Sequence, residues 1–135
     1  MKGLLKRNPK SLTVLLTDDQ PKTRRALRAL LTTYPEVRIV ADCGDGAQAV
    51  TLVGQLHPDV VLLDYRMPEM DGLEATRRIK ESWPDIGVVI LTMHPEVETQ
   101  ARAAHADGFL LKGCAAGDLV SAVLKAGGRN RSASR

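Results

Sequence analysis

The chain has 135 residues, 44% hydrophobic and 26% charged, which suits one soluble domain with a real core. Its net charge of +3 comes from the two ends. Residues 1–10 carry Lys2, Lys6, Arg7 and Lys10, residues 127–135 carry Arg129, Arg131 and Arg135, and neither stretch holds an acid. The remaining body has twelve basic against sixteen acidic side chains, and aromatic residues make up only 3%, so the body is poorly suited to bind nucleic acid by charge or base stacking. No apolar run is long enough to cross a bilayer, and the basic start lacks a signal-peptide apolar core. Cys43 and Cys114 have no metal-ligand spacing, so the expectation is a cytoplasmic protein with free thiols and no membrane partner.

Residues 1–10 read as a flexible N-terminal tail. Leu12 to Thr17 is the first strand, and Asp18-Asp19-Gln20-Pro21 ends it and opens a helix, with Pro21 suited to the first helical position. Ala26, Leu27, Leu30 and Leu31 form that helix's apolar face, with Arg24, Arg25 and Arg28 mostly outside it. Val37 to Ala41 is a second strand. Asp45-Gly46 starts a second helix through Ala49, Val50, Val53 and Leu56, in which Gly54 costs about 1 kcal/mol relative to Ala.

The third strand, Val60 to Leu63, is an unbroken apolar run, as in a strand buried on both faces of a parallel sheet. Asp71-Gly72 begins a third helix, ended by Trp83-Pro84. Ile86 to Leu91 is a fourth strand interrupted by Gly87, and Pro95 to Ala106 a fourth helix. Gly108 to Leu111 is a fifth strand. A last helix runs from about Ala115 to Ala126 and stops at Gly127-Gly128. These boundaries predict a single α/β domain over residues 11–127, with residues 128–135 as a C-terminal tail or the start of a linker.

Five strands alternating with five helices predict a doubly wound parallel sheet with right-handed crossovers. Ligands bind such sheets beyond the carboxyl ends of the strands. Asp18 and Asp19 follow strand 1, Asp64 follows strand 3, Thr92 follows strand 4 and Lys112 follows strand 5. With strands 1 and 3 as neighbours, in the flavodoxin-like (βα)5 order 2-1-3-4-5, the three acids meet at the switch point. Each residue also has a plain structural use, as a helix start, a cap or an exposed loop lysine. Five of them at one edge carry more weight than any one.

Three carboxylates cannot crowd together ionised without a cation. Magnesium suits oxygen ligands of this kind, and no thiol or imidazole cluster argues for zinc. A carboxylate can accept a phosphoryl group as an aspartyl phosphate, with metal and ammonium charge stabilising the transfer. Lys112 supplies the ammonium, and the Thr92 hydroxyl can bond a phosphate oxygen.

Asp18-Asp19, LLDYRMPEMDG around Asp64, LTMH ending strand 4 and GFLLK ending at Lys112 together resemble the receiver domain of two-component response regulators. The match runs from Leu12 to Ala126. The resemblance implies Asp64 as phosphoacceptor, with Asp19 and Asp64 as direct magnesium ligands, Asp18 acting through water and Arg66 through its backbone carbonyl. It makes Thr92 the switch hydroxyl, Phe109 the switch aromatic and Lys112 the phosphate-binding lysine. LTMHPE and GFLLKG further resemble the LuxR/NarL-type subfamily, in which a helix-turn-helix domain follows the receiver. Two features depart from the wider pattern. Gly113 stands where many receivers have proline, and Phe109 has no hydroxyl.

The resemblance implies a sensor histidine kinase as partner, contact along the Arg24, Arg25 and Arg28 helix, homodimer formation, and DNA binding only through an output domain. Arg66 and His94 hold positions that tune phosphoryl loss in the family, while His57 and His105 read as helix-end residues. The expected role is a switch that promotes its own phosphotransfer and dephosphorylation, not a turnover enzyme. Two readings compete with it. One is a phosphorylation-independent protein-interaction module of the same fold. The other is a flavodoxin-like or hydrolytic enzyme, against which stands the lack of a Gly-rich phosphate loop after strand 1.

Overall fold

The computed structural model describes residues 11–133, with side chains through residue 128. Expectations for residues 1–10 and 134–135 lie outside the described residues. Five parallel strands, β1 (Leu12–Thr17), β2 (Val37–Cys43), β3 (Val60–Leu63), β4 (Gly87–Thr92) and β5 (Gly108–Leu111), stand in the order 2-1-3-4-5. The helices are α1 (Pro21–Leu31), α2 (Gly46–Leu56), α3 (Gly72–Ser82), α4 (Glu98–Ala103) and α5 (Ala116–Ala133). This is the expected doubly wound, flavodoxin-like topology.

The two-residue period of a strand sorts the core into two layers. Val14, Leu16, Val60, Leu62, Val89 and Leu91 pack with Leu31 of α1 and with Leu119, Val120 and Val123 of α5. Their neighbours Leu15, Val61, Leu63, Val88 and Ile90 pack with α2, α3 and α4 through Ala49, Val53, Leu73, Ile79 and Ala101. All four residues of β3 are buried, which is why its sequence is apolar without alternation. Each fully buried Val, Leu or Ile contributes roughly 1.5–3 kcal/mol relative to exposure.

Several boundaries differ from the sequence reading. α5 does not stop at Gly127-Gly128 but continues to Ala133. A Cβ on Gly127 would lie 2.6 Å from Leu12 Cδ1 and 2.9 Å from Val60 Cγ2, and one on Gly87 would lie 2.9 Å from the Ala126 carbonyl oxygen. These two glycines let α5 approach the sheet closely: Gly127 is a packing residue rather than a terminator, and Gly87 opens β4 rather than interrupting it. The fourth helix is a 3-10 turn, Pro95–Val97, followed by the short α4. His105 follows α4 at φ 74° and His57 caps α2 at φ 47°, so both are helix-end residues. Trp83 caps α3 and lies where a Cβ on Gly54 would meet its ring at 3.2 Å. Gly54 thus makes room for the indole.

β2 runs two residues past Ala41, and its pairing with β1 shifts register between Val14 and Leu15. Val14 pairs with Ile39 and Leu15 with Ala41, leaving Val40 as the extra residue of a β-bulge. Beyond the bulge, Asp42 pairs with Leu16 and Cys43 with Thr17. Cys43 joins the α2–α3 layer, so Asp42 points the other way, towards α1.

At the amino edge of the sheet, polar groups tie strands together in closed sets. Asp59 Oδ2 accepts from the Thr13 N–H at 2.9 Å and the Thr13 hydroxyl at 3.2 Å. Asp107 Oδ2 accepts from the Val88 N–H and from Lys80 Nζ, both at 2.8 Å. Lys80 also donates to the carbonyls of Pro84 and Ile86.

Candidate functional site

At the carboxyl edge β1, β3 and β5 each stop one residue short of a reactive side chain, and β4 ends on one, Thr92. Asp18 N–H donates to the Cys43 carbonyl and Asp64 N–H to the Thr17 carbonyl, each at 3.1 Å. The backbone ladders thus carry one step past β1 and β3 and hold both acids at the rim. Lys112 N–H donates to the Thr92 carbonyl at 2.8 Å, which sets the lysine at the same edge across β4 and β5.

Four of the predicted residues meet there. One carboxylate oxygen each from Asp18, Asp19 and Asp64 lies within 4.8 Å of the others. Lys112 Nζ stands 2.8 Å from both Asp18 Oδ2 and Asp64 Oδ2. The remaining oxygen of Asp18 accepts from the Gln20 N–H at 2.9 Å, and that of Asp64 from the Tyr65 N–H at 2.7 Å. Asp18 and Asp64 are buried, Asp19 is exposed, and the Asp19 carboxylate takes no hydrogen bond among the described residues.

The charges do not balance. Three carboxylates face one ammonium, leaving a deficit of two positive charges, and carboxylates this close favour a bound cation. The donor set is all oxygen with one open, exposed ligand, so these residues fit a hard divalent cation. Burial by itself would lower the Lys112 pKa, but its hydrogen bonds to Asp18 and Asp64 outweigh burial and hold it above its ordinary value. Lys112 is therefore a fixed cation at neutral pH.

The other predicted residues surround this centre. Thr92 ends β4, fully buried, and its Oγ1 accepts from the His94 N–H at 3.3 Å. It shares the edge, and its carbonyl accepts the Lys112 N–H, but among the described residues its side chain makes no hydrogen bond to the acids. Phe109 lies opposite Ile90 on β5, half-buried against the α2–α4 layer. Arg66 is exposed and lines an open groove of about 440 Å³ with Asp19, Tyr65, Met67, Pro68 and Asp71. His94 packs edge-on to the Tyr65 ring, with centroids 5.7 Å apart, and its Nδ1 lies 3.3 Å from Glu96.

Gly72 and Gly113 shape the two loops that carry the site. Gly72 N–H donates to the Tyr65 carbonyl at 2.8 Å, closing the loop after Asp64, and a Cβ there would collide with the Asp64 carbonyl. Gly113, after the lysine, sits at φ 95°, a left-handed conformation that glycine adopts without steric cost.

The sequence reading missed Arg24 and Asp42. Arg24 Nη1 donates to the Asp18 carbonyl at 2.6 Å, and its Nε lies 3.3 Å from Asp42 Oδ1. Arg28 donates twice to Asp42 Oδ2, at 2.9 and 2.7 Å. Two of the three arginines that lie mostly outside the apolar face of α1 are thus engaged within the chain, and of the three Arg25 is the exposed one.

A doubly wound five-stranded sheet with acids and one lysine at its switch point defines one class of α/β domain. The model of the response regulator receiver domain matches residues 14–124, and the chain belongs to that family. It is 36% identical over 118 residues to the transcriptional regulatory protein DegU of Brevibacillus brevis, a match covering 86% of this chain and 50% of that protein. To the nitrate/nitrite response regulator protein NarL of Escherichia coli strain K12 it is 34% identical over 121 residues, covering 88% and 56% respectively. The signal receiver domain of NarL from Mycobacterium tuberculosis superimposes with a TM-score of 0.82 at 34% identity, covering 88% of this chain and 98% of that one. A LuxR-family two-component response regulator from Aurantimonas sp. SI85-9A1 gives a TM-score of 0.78 at 31% identity, covering 82% and 81%. The chain spans about half the length of the curated relatives it matches.

Proposed function

We propose that this receiver is a phosphorylation-controlled switch, the regulatory half of a transcription regulator, with Asp64 as its phosphoacceptor. The observation that carries the reading is the meeting of Asp18, Asp19 and Asp64 at one sheet edge, with Lys112 bonded to two of them. A carboxylate of Asp64 attacks the phosphorus of a phosphohistidine on a sensor histidine kinase. The new O–P bond forms as the N–P bond breaks, and the histidine leaves. Lys112, already paired with Asp64 Oδ2, follows the charge onto the phosphoryl oxygens.

Asp19 and Asp64, with Asp18 through water and the Arg66 backbone carbonyl, would hold magnesium. When bound, the ion supplies charge that offsets the phosphoryl oxygens. The Thr92 hydroxyl accepts the His94 N–H and keeps its own hydrogen to donate to a phosphate oxygen. The product carries about −1.5 to −2 charge, by analogy with phosphorylated hydroxyl residues. Inward rotation of Thr92 and repositioning of Phe109 then bias the surface of α4, β5 and α5 by population shift.

In this reading the domain promotes its own phosphotransfer and dephosphorylation and turns over no external metabolite. The partners in this reading are a sensor histidine kinase and a second copy of the chain, DNA is reached through an output domain, and the setting is the cytoplasm. Among the described residues no helix is long and apolar enough to cross a membrane.

Intact-mass analysis with magnesium and acetyl phosphate, beside Asp64→Asn, tests the reading. The expected result is a magnesium-dependent adduct of one phosphoryl group, labile to hydroxylamine and absent from the variant. Failure with both acetyl phosphate and a cognate kinase would instead favour the phosphorylation-independent interaction module.

A further inference from the structure

The acidic site depends on how the Asp18–Asp19 peptide is turned. Asp18 is buried and fixed by its N–H to the Cys43 carbonyl, by Gln20 and by Lys112. Asp19 is exposed, and a side chain in that position is directed mainly by its own backbone. The carbonyl between the two acids accepts from Arg24 Nη1 at 2.6 Å. A peptide unit is planar, so an anchor on that oxygen also sets the direction of the Asp19 N–H and Cα.

Arg24 is itself held by Asp42, which Arg28 holds in turn. Its Nε lies 3.3 Å from Asp42 Oδ1, while Arg28 occupies Asp42 Oδ2 with two donors. Asp42 reaches α1 only because the bulge at Val40 reverses the side-chain alternation of β2. In unbroken register with β1, residue 42 would fall on the α2–α3 side. Bulges re-aim side chains in this way. Gly44 leaves the room required, since a Cβ there would stand 3.1 Å from Arg24 Nη1 and 4.0 Å from Asp19 Cα. The ends of β1 and β2 and the first turns of α1 thus converge on one guanidinium. That group suits the task because it offers several donors in a rigid plane and stays charged.

We propose that Arg24 is a positioning residue: clamped by Asp42, it holds the Asp18–Asp19 peptide so that the exposed Asp19 carboxylate faces Asp64 and Asp18. The inference rests on the cation-binding reading of the acidic site, and it acts through backbone orientation rather than charge. That distinction gives the effect a sign. By charge alone, removing a cation near three carboxylates tightens binding of a divalent cation. If Arg24 positions Asp19, removing it weakens binding.

The experiment is a magnesium chloride titration of the chain and of Arg24→Gln, Arg24→Lys and Arg25→Gln, followed by the backbone amide resonances of Asp19 and Asp64. Thermal melts check the fold, and ¹⁵N relaxation is recorded without metal. Loss of an outer partner of a metal ligand commonly costs about tenfold or more in affinity, so Arg24→Gln is expected to weaken magnesium binding about tenfold. Arg24→Lys keeps the charge but lacks the planar fork, and is expected to recover only part of the loss. Arg25→Gln removes the same charge from an exposed position on the same helix and is expected to bind no more weakly than the parent.

Affinity in Arg24→Gln that is unchanged or tighter, with the melt preserved, overturns the proposal. If the parent chain shows no magnesium response, the cation reading fails, and the metal-free relaxation data decide the positioning claim. Order parameters at Asp19 and Gln20 that drop in Arg24→Gln, with those at Asp64 and Thr92 steady, support it. No change at Asp19 and Gln20 rejects it.

Discussion

Both edges of the sheet carry an aspartate paired to a lysine at 2.8 Å, and they use the pair in opposite ways. At the amino edge, Asp107 meets Lys80, each 12% exposed, and the partners are completed by the Val88 N–H and the carbonyls of Pro84 and Ile86. Charges and hydrogen-bonding groups balance within that set. At the carboxyl edge, Lys112 is shared by Asp18 and Asp64 while Asp19 stands beside them exposed. There the acids outnumber the cation by two. A balanced, largely buried pair holds strands together, whereas an unbalanced cluster keeps part of its interaction energy for something that binds.

The largest expected effect is the sharpest contrast between the edges. Asp107→Ala leaves Lys80 without its carboxylate and the Val88 N–H without an acceptor, and is expected to cost about 2–3 kcal/mol. Asp19→Asn removes one of three crowded like charges from an exposed position, and is expected to be neutral or to stabilise by up to about 1 kcal/mol. Urea unfolding of both variants in magnesium-free buffer makes the comparison. Equal losses would mean that the carboxyl edge is as structural as the amino edge.

The same contrast explains what the sequence made legible. A parallel sheet brings strand ends to one rim, so Asp18, Asp19, Asp64 and Lys112 were readable from their places after apolar runs. The unbroken Val60–Leu63 run likewise announced a strand with helices on both faces. What stayed hidden lay where local pattern and tertiary packing part. Nothing in VRIVADC marks Val40 as a bulge, and a regular alternation sends Asp42 to the wrong face, so its pairing with Arg24 and Arg28 was out of reach. Gly127-Gly128 has the look of a helix stop, yet Gly127 is where α5 presses on Leu12 and Val60. The fourth helix was overextended because apolar periodicity carries no sign of the turn at His105, with its φ of 74°.

A smaller effect is set by pH. The folded Lys112 pKa is raised above its ordinary 10.5 by Asp18 and Asp64, against the pull of burial. Its contribution to stability is therefore complete below the unfolded value and is lost as pH rises through the folded one. Lys112→Met is expected to cost about 1 kcal/mol at pH 8, a difference from the parent that persists to about pH 10 and shrinks above it. Urea midpoints at intervals from pH 8 to 11 give the measurement. A difference that stays constant to pH 11 would show that the ammonium charge is not what the two acids require.

The smallest effect belongs to neither edge and calibrates both. Glu74 lies in the first turn of α3, with Arg78 and Arg77 as i,i+4 and i,i+3 partners at 2.9 and 3.2 Å. Hydrogen bonds from Arg78 first and Arg77 second hold its carboxyl below the ordinary 4.5. That stabilisation is present above the unfolded value and disappears as pH falls through the folded one. All three side chains are exposed, at 41% for Glu74, 55% for Arg77 and 56% for Arg78, so solvent and salt screen the pairing. The start of α3 is also secured independently, by the Asp71 side chain accepting the Glu74 N–H at 2.9 Å. Glu74→Gln keeps that cap, because the bond uses the backbone of residue 74. Its melting temperature at pH 7 should match the parent's within replicate scatter, and added salt should not separate the two. A clear loss would mean that charge on the outer face of α3 matters to the fold, and the contrast between the edges would then need measuring against a larger surface background.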